Sequence, residues 1–551
     1  MTPLSRLKTR LLSTIAAAAI LAAPIFAAPM AAAAETASST SSSLGFSAFA
    51  QAVAEAALRH DEVAAFYRET GYEPVWTGQT EAEKTRLTAL LKAIMHAEEH
   101  GLPQSAYDTT QLTAMMRNIS SPRDQGRVEV DLTNLFLTYA HQIQTGILEP
   151  SSIDKLMTRN PHRRDPVELL TGFLEAENPD AFMHSLIPSS DEYARLMHKK
   201  FEIERLVERG GWGPQVQAGA LKPGEQGPGV VQLRNRLIAM GYLGRSATMT
   251  YDAEIQRAVQ LFQENMGLNA DGVAGPATIE AINVPALERL KSVVVAMERE
   301  RWLSIDRKDR YIWVNLTDFT ARIVDGGEIT FETRSVVGAN TFDRRTPEFS
   351  DVMEHMVINP SWYVPKSIAR NEYVPAMIAS QGTAAGHLQI LDGAGRVIPR
   401  ETIDWTVVTP SYFPFDLKQP PSGGNALGRV KFMFPNKHNI YLHDTPSKSL
   451  FSREVRAFSH GCVRLQKPFD FAYALLAAQE EDPEGTFQSI LRTGRETTVK
   501  LETPLPVHLV YRTAFSDLRG HMGYRADIYG RDAKLWSALQ DAGVSLPGLG
   551  S

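Results

Sequence analysis

Residues 458–465 read FSHGCVRL and contain Cys462, the only cysteine in the chain of 551 residues. Because a thiol attacks as its thiolate, a catalytic cysteine needs neighbours that lower its pKa and a base within reach. His460 and Arg464 supply positive or polarisable groups beside it, and Gly461 lets the backbone approach closely. Consecutive N–H groups around Gly461 and Cys462 are suited to a developing oxyanion. The alternative is that Cys462 is an inert, small buried hydrophobe.

A second histidine precedes this stretch and is the candidate base. His443 ends a predicted strand at 440–443, IYLH, and Asp444 follows it directly. The gap between His443 and Cys462 is too long for one helix and suits two adjacent segments. We therefore expect the imidazole and the thiol to share a pocket. The alternative is a histidine at a strand end that only satisfies its own hydrogen bonds.

The start of the chain predicts export. Residues 1–34 have the features of a secretory signal peptide, because three basic residues precede an apolar, alanine-rich run and small residues lead to an expected cleavage after Ala34. An uncleaved membrane anchor is the alternative, although an alanine-rich run holds a bilayer weakly. Residues 35–47, rich in Ser, Thr and Ala, predict a flexible linker. We expect a periplasmic, wall-associated protein with no transmembrane segment after cleavage.

Composition excludes several classes of protein. The chain has 57 Lys and Arg against 63 Asp and Glu, a formal charge of −6, so there is no cationic excess to neutralise a phosphate backbone. We therefore expect no nucleic-acid partner. Apolar residues make up 43% of the chain, as in ordinary globular proteins. The length predicts about three to four domains.

Residues 48–210 predict an α-helical scaffold domain. Apolar residues recur at helical spacing over 87–95 and again over 132–143. One local string, HAEEH at 96–100, has the order of inverted zinc peptidases, with both imidazoles on one helix face. Because Gly101 follows at once, we instead expect His100 in a last helical turn, where a cation suits the helix dipole, and no metal.

A segment rich in glycine and proline precedes a small unit at residues 222–284. Three short amphipathic helices are predicted there, with the string Asp271, Gly272, Gly275 and Thr278 between the second and third. This order and spacing resemble the three-helix peptidoglycan-binding module. The alternative is a structural spacer that kept the fold and lost the ligand.

The hydrophobic period changes to two after a predicted helix at 285–302, which indicates strands. The predicted strands are 311–315, 321–324, 353–358, 430–434 and 440–443. The fold class is therefore multidomain α+β, with a helical scaffold, a small helical module and a β-rich domain at 308–498. We assign 499–551 to a C-terminal β-hairpin and helix extension.

The string SHGCVR at 459–464, preceded by His443, resembles the signature of the L,D-transpeptidase catalytic domain of bacterial cell-wall enzymes. Other matching segments are VG at 337–338, TP at 346–347, NPSWYVP at 359–365 and NALG at 425–428. The layout of scaffold, binding module and catalytic domain is similar to the large periplasmic members of that family. The resemblance also implies that 366–420 form a lid over the cleft; the alternative is an ordinary surface subdomain.

The resemblance implies a reaction. Cys462 would be the nucleophile and His443 the general base and acid, and no metal or diffusible cofactor is called for. The donor would be a peptidoglycan tetrapeptide stem, attacked at the L-centre carbonyl of its third residue, diaminopimelate. D-alanine would leave a thioester that an amine of a second stem resolves as a 3→3 cross-link. An L,D-carboxypeptidase, a lipoprotein-attaching transpeptidase and a non-catalytic wall-binding protein remain as alternatives.

Further residues receive roles from the same resemblance. The oxyanion and support roles go to Ser459, His460 and Gly461, and substrate binding goes to Arg464, Trp362 and Tyr363. Arg464 suits a substrate carboxylate, and its alternative is a structural ion pair. The His460 side chain is either a second base or a structural hydrogen bonder, and we favour the latter. For His443, the backbone carbonyl of Asp444 competes with its side chain as the group that holds the imidazole.

Overall fold

The computed structural model describes residues 47–303, 309–516 and 521–547. The predicted signal peptide at 1–34 and nearly all of the predicted linker at 35–47 lie outside these ranges. Within the described ranges, every helix is too short or too polar to cross a membrane.

The N-terminal helical region packs around two apolar cores, and α6 and α9 belong to the second of them. Its helices are α1 (Ala48–Ala57), α2 (Asp61–Glu69), α3 (Glu81–Met95), α4 (Thr109–Arg117), α5 (Pro122–Thr145), α6 (Pro150–Ile153), α7 (Pro166–Leu174), α8 (Pro179–Ser185) and α9 (Asp191–Glu208). Helix α3 begins with a capping box between Thr80 and Glu83, which satisfies orphan N–H groups at its first turn. Leu90 and Ile94 of α3 are buried as expected, but Met95 is 68% exposed because the helix ends there.

The expectation for the HAEEH string was wrong in two respects. His96 is the C-terminal cap of α3, and residues 97–100 form a separate 3-10 turn that Gly101 ends in the left-handed region, at φ 69°. The two imidazoles therefore do not share a helix face. Burial lowers the pKa of His100 to about 3, so it is a neutral buried histidine in contact with the Tyr193 hydroxyl and not a cation at a helix end.

The small module contains α10 (Pro228–Ala239), α11 (Ala253–Met266) and α12 (Pro276–Asn283). The side chain of Gln263 in α11 binds the glycine-containing string that follows this helix. Its amide donates to Asp271 Oδ1 (3.0 Å) and to Thr278 Oγ1 (3.1 Å), and its carbonyl accepts from the N–H of Gly272 (2.9 Å). The string that carries the resemblance thus holds the loop together around one buried amide.

Helix α13 (Ala286–Arg301) joins the helical regions to the β-rich domain. Its last turn carries charged residues that are all buried and paired. Arg299 lies 2.5 Å from Glu348 and 2.9 Å from Asp532, and Arg301 lies 2.8 Å from Glu298. Buried charges are tolerated only when they are paired in this way, so α13 fixes the orientation of the units that it connects.

The β-rich domain contains a sheet of nine strands within the described residues. The strands of the domain are β1 (Tyr311–Asn315), β2 (Thr320–Asp325), β3 (Glu328–Gly338), β4 (Phe349–Ile358), β5 (Trp362–Tyr363), β6 (Gln389–Leu391), β7 (Val397–Ile398), β8 (Asp416–Gln419), β9 (Val430–Met433), β10 (Leu442–His443), β11 (Ala457–Ser459), β12 (Val463–Leu465), β13 (Thr497–Val510), β14 (Ala514–Ser516) and β15 (Met522–Tyr524). The sheet order is β11-β3-β12-β10-β9-β4-β13-β1-β2, and β2 also pairs with β3. That extra pairing closes the sheet into a barrel around the core.

The boundary predicted at 498 cuts through this barrel and is therefore wrong. Strand β13 lies between β4 and β1 and pairs with β1 in parallel, so residues 497–510 are central to the sheet and not a peripheral addition. A hairpin does follow, formed by β14 and β15, and α18 (Arg531–Asp541) follows the hairpin. Arg525 directly follows β15 and donates to the carbonyl of Asn265 (2.6 Å), which connects the hairpin to the small module.

The insertion at 366–420 has its own architecture. Helices α14 (Lys366–Ile368) and α15 (Val374–Ala379) flank a π-helical turn. A separate four-stranded sheet has the order β5-β8-β6-β7. The buried side chains of Trp405, Met377 and Leu417 belong to a core of its own. Helices α16 (Pro468–Leu476) and α17 (Pro483–Arg492) lie between β12 and β13 in the chain and complete the domain.

Candidate active site

Strand alternation decides which side chains of the barrel face outward. Leu442, Val463 and Leu465 belong to the barrel core. Because neighbours in a strand point to opposite faces, His443 on β10 and Arg464 on β12 point away from that core. Strands β10 and β12 are parallel neighbours in which His443 pairs with Arg464, so the segment before each strand also lies side by side.

These outward side chains line one cavity of about 780 Å³. The predicted site residues that line it are Cys462, His443, Ser459, His460, Arg464, Trp362 and Tyr363. Residues 366–368 and 371–373 of the insertion form another part of the wall. The structure thus brings all seven of these side chains to one cavity, and Gly461 lies in the turn between His460 and Cys462.

Cys462 is half-buried and uncharged at rest. Burial raises the pKa of its thiol to about 11, although hydrogen bonds from the backbone and side chain of Tyr441 and the charge of Arg464 act in the opposite direction. The Sγ–H group lies 3.6 Å from the carbonyl oxygen of Asn439, to which it donates. At neutral pH Cys462 is therefore a thiol, which would have to lose its proton before it could attack as a thiolate.

His443 is buried and neutral. Burial, followed by the charge of Arg464, lowers the pKa of its imidazole to about 3, while the backbone carbonyls of Asp444 and Leu427 act in the opposite direction. Nδ1 lies 2.5 Å from the Asp444 carbonyl oxygen. Because a carbonyl only accepts, Nδ1 carries the proton, and Nε2 is the nitrogen that can take another.

The Asp444 carboxylate does not bind the imidazole. It accepts from the N–H of Arg429 (2.9 Å) and pairs with Lys448 Nζ (2.6 Å). The backbone carbonyl of Asp444 is thus the group that orients His443, and the carboxylate holds the surrounding loops. Close packing fixes this arrangement, because a Cβ at Gly428 would lie 2.3 Å from that carboxylate.

The turn before Cys462 is held by Ser459 and Thr346. Ser459 Oγ donates to the carbonyl of Cys462 (2.5 Å) and accepts from the N–H of Gly461 (3.1 Å). Thr346 Oγ1 donates to the carbonyl of Gly461 (2.7 Å), whose φ of 118° favours glycine. The Gly461 N–H is therefore occupied in this conformation. Among the described residues, nothing accepts a hydrogen bond from the N–H of Cys462, so this donor is available to an incoming acceptor.

The His460 side chain bonds to the insertion instead of the thiol. Its Nε2 lies 2.5 Å from Glu372 Oε1, and the same oxygen lies 2.6 Å from Arg344. Glu372 belongs to the π-helical turn of the insertion. The side chain thus acts as a structural hydrogen bonder that ties the cysteine turn to the cavity wall.

Tyr441 is a site residue that the sequence reasoning missed. Its hydroxyl bonds to Cys462 and to Trp362, and its ring lies 5.7 Å from the His443 ring. Trp362 therefore reaches the thiol through Tyr441. The sequence held the signal, because a residue two positions before His443 on one strand shares its face. Tyr363, by contrast, is 59% exposed at the rim, with Lys418 Nζ 5.1 Å from its ring.

We predict that Tyr441→Phe slows alkylation of Cys462 by a neutral reagent about tenfold at pH 8, because it removes a donor that stabilises the thiolate. The measurement is the rate of iodoacetamide labelling from pH 7 to 10, followed by intact mass. Tyr473→Phe is the matched control, since the Tyr473 hydroxyl bonds Gln488 (2.7 Å) away from the cavity. An unchanged labelling profile for Tyr441→Phe would contradict the assigned hydrogen bond.

Comparison with known families places the catalytic region. A family model described as "L,D-transpeptidase catalytic domain" matches residues 309–490, which contain the whole cavity described above. Residues 309–490 are thus similar to that family. A second model, "Putative peptidoglycan binding domain", matches 226–282, and a third, "Scaffold domain", matches 61–199. The three matches follow the order of helical region, module and L,D-transpeptidase domain.

Two curated relatives share part of the chain. A Haemophilus influenzae protein named "Putative L,D-transpeptidase" is 34% identical over 244 residues, which are 44% of this chain and 48% of that protein. The zinc D-Ala-D-Ala carboxypeptidase of Streptomyces albus G is 42% identical over 74 residues, 13% of this chain and 28% of that protein. The chain thus spans about half the length of the first relative and less than a third of the second.

Solved structures of L,D-transpeptidases are also similar. The one from Xylanimonas cellulosilytica is 16% identical, with 54% of this chain and 98% of that chain covered and a TM-score of 0.17. The one from Stackebrandtia nassauensis is 16% identical, with 54% and 97% covered and a TM-score of 0.21.

Proposed function

We propose that this protein is a periplasmic L,D-transpeptidase that forms 3→3 cross-links between diaminopimelate residues of peptidoglycan through a thioester on Cys462. The observation that carries the proposal is one cavity in the region that matches the L,D-transpeptidase family. The Cys462 thiol, the neutral His443 imidazole and the Arg464 guanidinium all line this cavity. The match of 226–282 to a peptidoglycan-binding family supports the wall as the substrate.

The first half-reaction transfers the acyl group to sulfur. Nε2 of His443 takes the thiol proton while Sγ attacks the L-centre carbonyl of the donor's third residue. The free N–H of Cys462 stabilises the oxyanion. The tetrahedral intermediate then collapses, His443 returns the proton to the departing amine of D-alanine, and a thioester remains. Because the thiol and imidazole are both neutral at rest, no preformed ion pair is needed.

The second half-reaction reverses the roles. An amine of a second stem attacks the thioester, His443 takes a proton from that amine, and sulfur leaves as the thiol. One amide has replaced another, so the exchange needs no nucleotide. The insertion wall at 366–373 limits water at the thioester and favours an amine acceptor.

Product analysis tests the proposal. The full chain is incubated with tetrapeptide stems whose diaminopimelate side-chain amine is acetylated, with and without an acceptor stem that carries the free amine, and products are separated and weighed. We expect D-alanine and 3→3 dimer in equal amounts when acceptor is present. Tripeptide as the only product would mean that water is the acceptor, as in an L,D-carboxypeptidase. No D-alanine release, together with retention of the protein on sacculi, would mean a wall-binding protein and would overturn the proposal.

A further inference from the structure

Three cavity-lining residues form a row across the sheet. His443 on β10 pairs with Lys431 on β9 and with Arg464 on β12, so the order is cation, imidazole, cation. The residues on either side of Lys431, Val430 and Phe432, lie in the barrel core, which turns Lys431 outward. All three members of the row line the same cavity.

The two cations of this row are unpaired. In the described part of the chain, neither Lys431 nor Arg464 lies within 4.0 Å of a carboxylate, and Arg464 Nε is buried without any partner. Glu496 is the acidic group that acts on Lys431, but it accepts a hydrogen bond from the N–H of Ser361.

Two buried arginines elsewhere in the described residues are neutralised by carboxylates. Arg299 pairs with Glu348 and Asp532, and Arg512 pairs with Glu192 and Glu300. Desolvated charges are costly without an opposite charge. The unpaired row is therefore arranged for an anion that arrives with the substrate.

The order of the row assigns the two cations to different parts of the donor. Arg464 lies on β12, which directly follows Cys462, and so faces the acyl portion. Lys431 lies beyond His443, on the side away from that strand. His443 must return its proton to the departing amine, and the terminal carboxylate of the departing amino acid is one carbon from that amine. Lys431 is then the cation nearest to this carboxylate.

We propose that Lys431 is a specificity-determining residue that binds the terminal carboxylate of the departing amino acid. The inference rests on the proposed function and adds a rule for the donor. A stem that ends one residue after the attacked carbonyl is accepted, whereas a stem extended or amidated at that end is rejected. An ammonium–carboxylate contact in a partly buried cavity supplies this discrimination.

The test uses binding, so that it does not depend on transfer. In the full-length Cys462→Ala chain, titration calorimetry compares a tetrapeptide stem ending in a free carboxylate with the same stem ending in an amide. We expect the amide to bind about tenfold more weakly, and Lys431→Met to bind both peptides with the weaker affinity. Lys437→Met is the control, because Lys437 is exposed on the neighbouring loop.

The outcomes separate the two proposals. Equal affinities for the two peptides, or a Lys431→Met variant that still discriminates, would overturn the role of Lys431. Discrimination in binding without D-alanine release by the wild-type chain would instead overturn the proposed transferase activity and leave the carboxylate site intact.

Discussion

Cys462→Ala is expected to reduce D-alanine release from a tetrapeptide donor by about 10⁴-fold or more. The physical reason is that no other thiol exists in the chain, and Cys462 lines the same cavity as His443. The fold should survive, because Cys462 is half-buried and only one sulfur is removed. The measurement is single-turnover D-alanine release, with the thermal unfolding midpoint as the check on folding.

The control for this variant is Ser120→Ala, an exposed serine hydroxyl remote from the cavity, which is expected to leave the rate unchanged. Cys462→Ser should be nearly as inactive as Cys462→Ala, because a hydroxyl is a much weaker nucleophile at this position. A Cys462→Ala chain that folds and retains more than about one hundredth of the rate would show that the thiol is not the acyl carrier.

His443→Gln is expected to slow the acylation step by about 10³-fold at pH 7 and to change its pH dependence. In the wild type the reactive pair is the neutral thiol and the neutral imidazole. With pKa values of about 11 and about 3, both neutral forms persist across the intervening range, so the rate should be flat from pH 5 to 9. Loss of activity should begin only as pH falls toward about 3, where the imidazole gains its proton.

The His443→Gln variant must rely on Cys462 thiolate that forms without a general base. Its fraction rises about tenfold for each pH unit below the thiol pKa, so the log of the rate should rise with unit slope from pH 6 to 9. The measurement is single-turnover D-alanine release across this range. His508→Gln is the matched control, because His508 is also buried on the barrel and bonds Ser350 (2.7 Å). A flat profile for His443→Gln would contradict the role of His443 as base.

Local sequence patterns predicted the residues of the site better than they predicted the strand order of the β-rich domain. Alternation identified β1 at its observed bounds, and the string around Cys462 together with His443 predicted one shared cavity. These features depend on neighbours in sequence. The place of β13 between β4 and β1 depends on a parallel pairing with a strand nearly 200 residues earlier, which alternation along one strand does not encode.

Charge was the second source of error. Four charged residues, ERER at 298–301, end α13, yet all four side chains are buried and ion-paired. His100 was expected to be a cation in a last helical turn, and burial makes it neutral instead. Sequence reveals that these residues are ionisable, whereas tertiary packing decides whether they meet water.

The most direct test of the account is the mass of the acyl-enzyme. The wild-type chain is mixed with a tetrapeptide donor whose diaminopimelate side-chain amine is acetylated, so that no acceptor amine is present, then quenched in acid, weighed intact and mapped by peptide mass spectrometry. The account predicts an adduct equal to the donor minus D-alanine, joined to the peptide that contains Cys462, and no adduct on the Cys462→Ala chain. D-alanine release accompanied by an adduct on a different residue would contradict it.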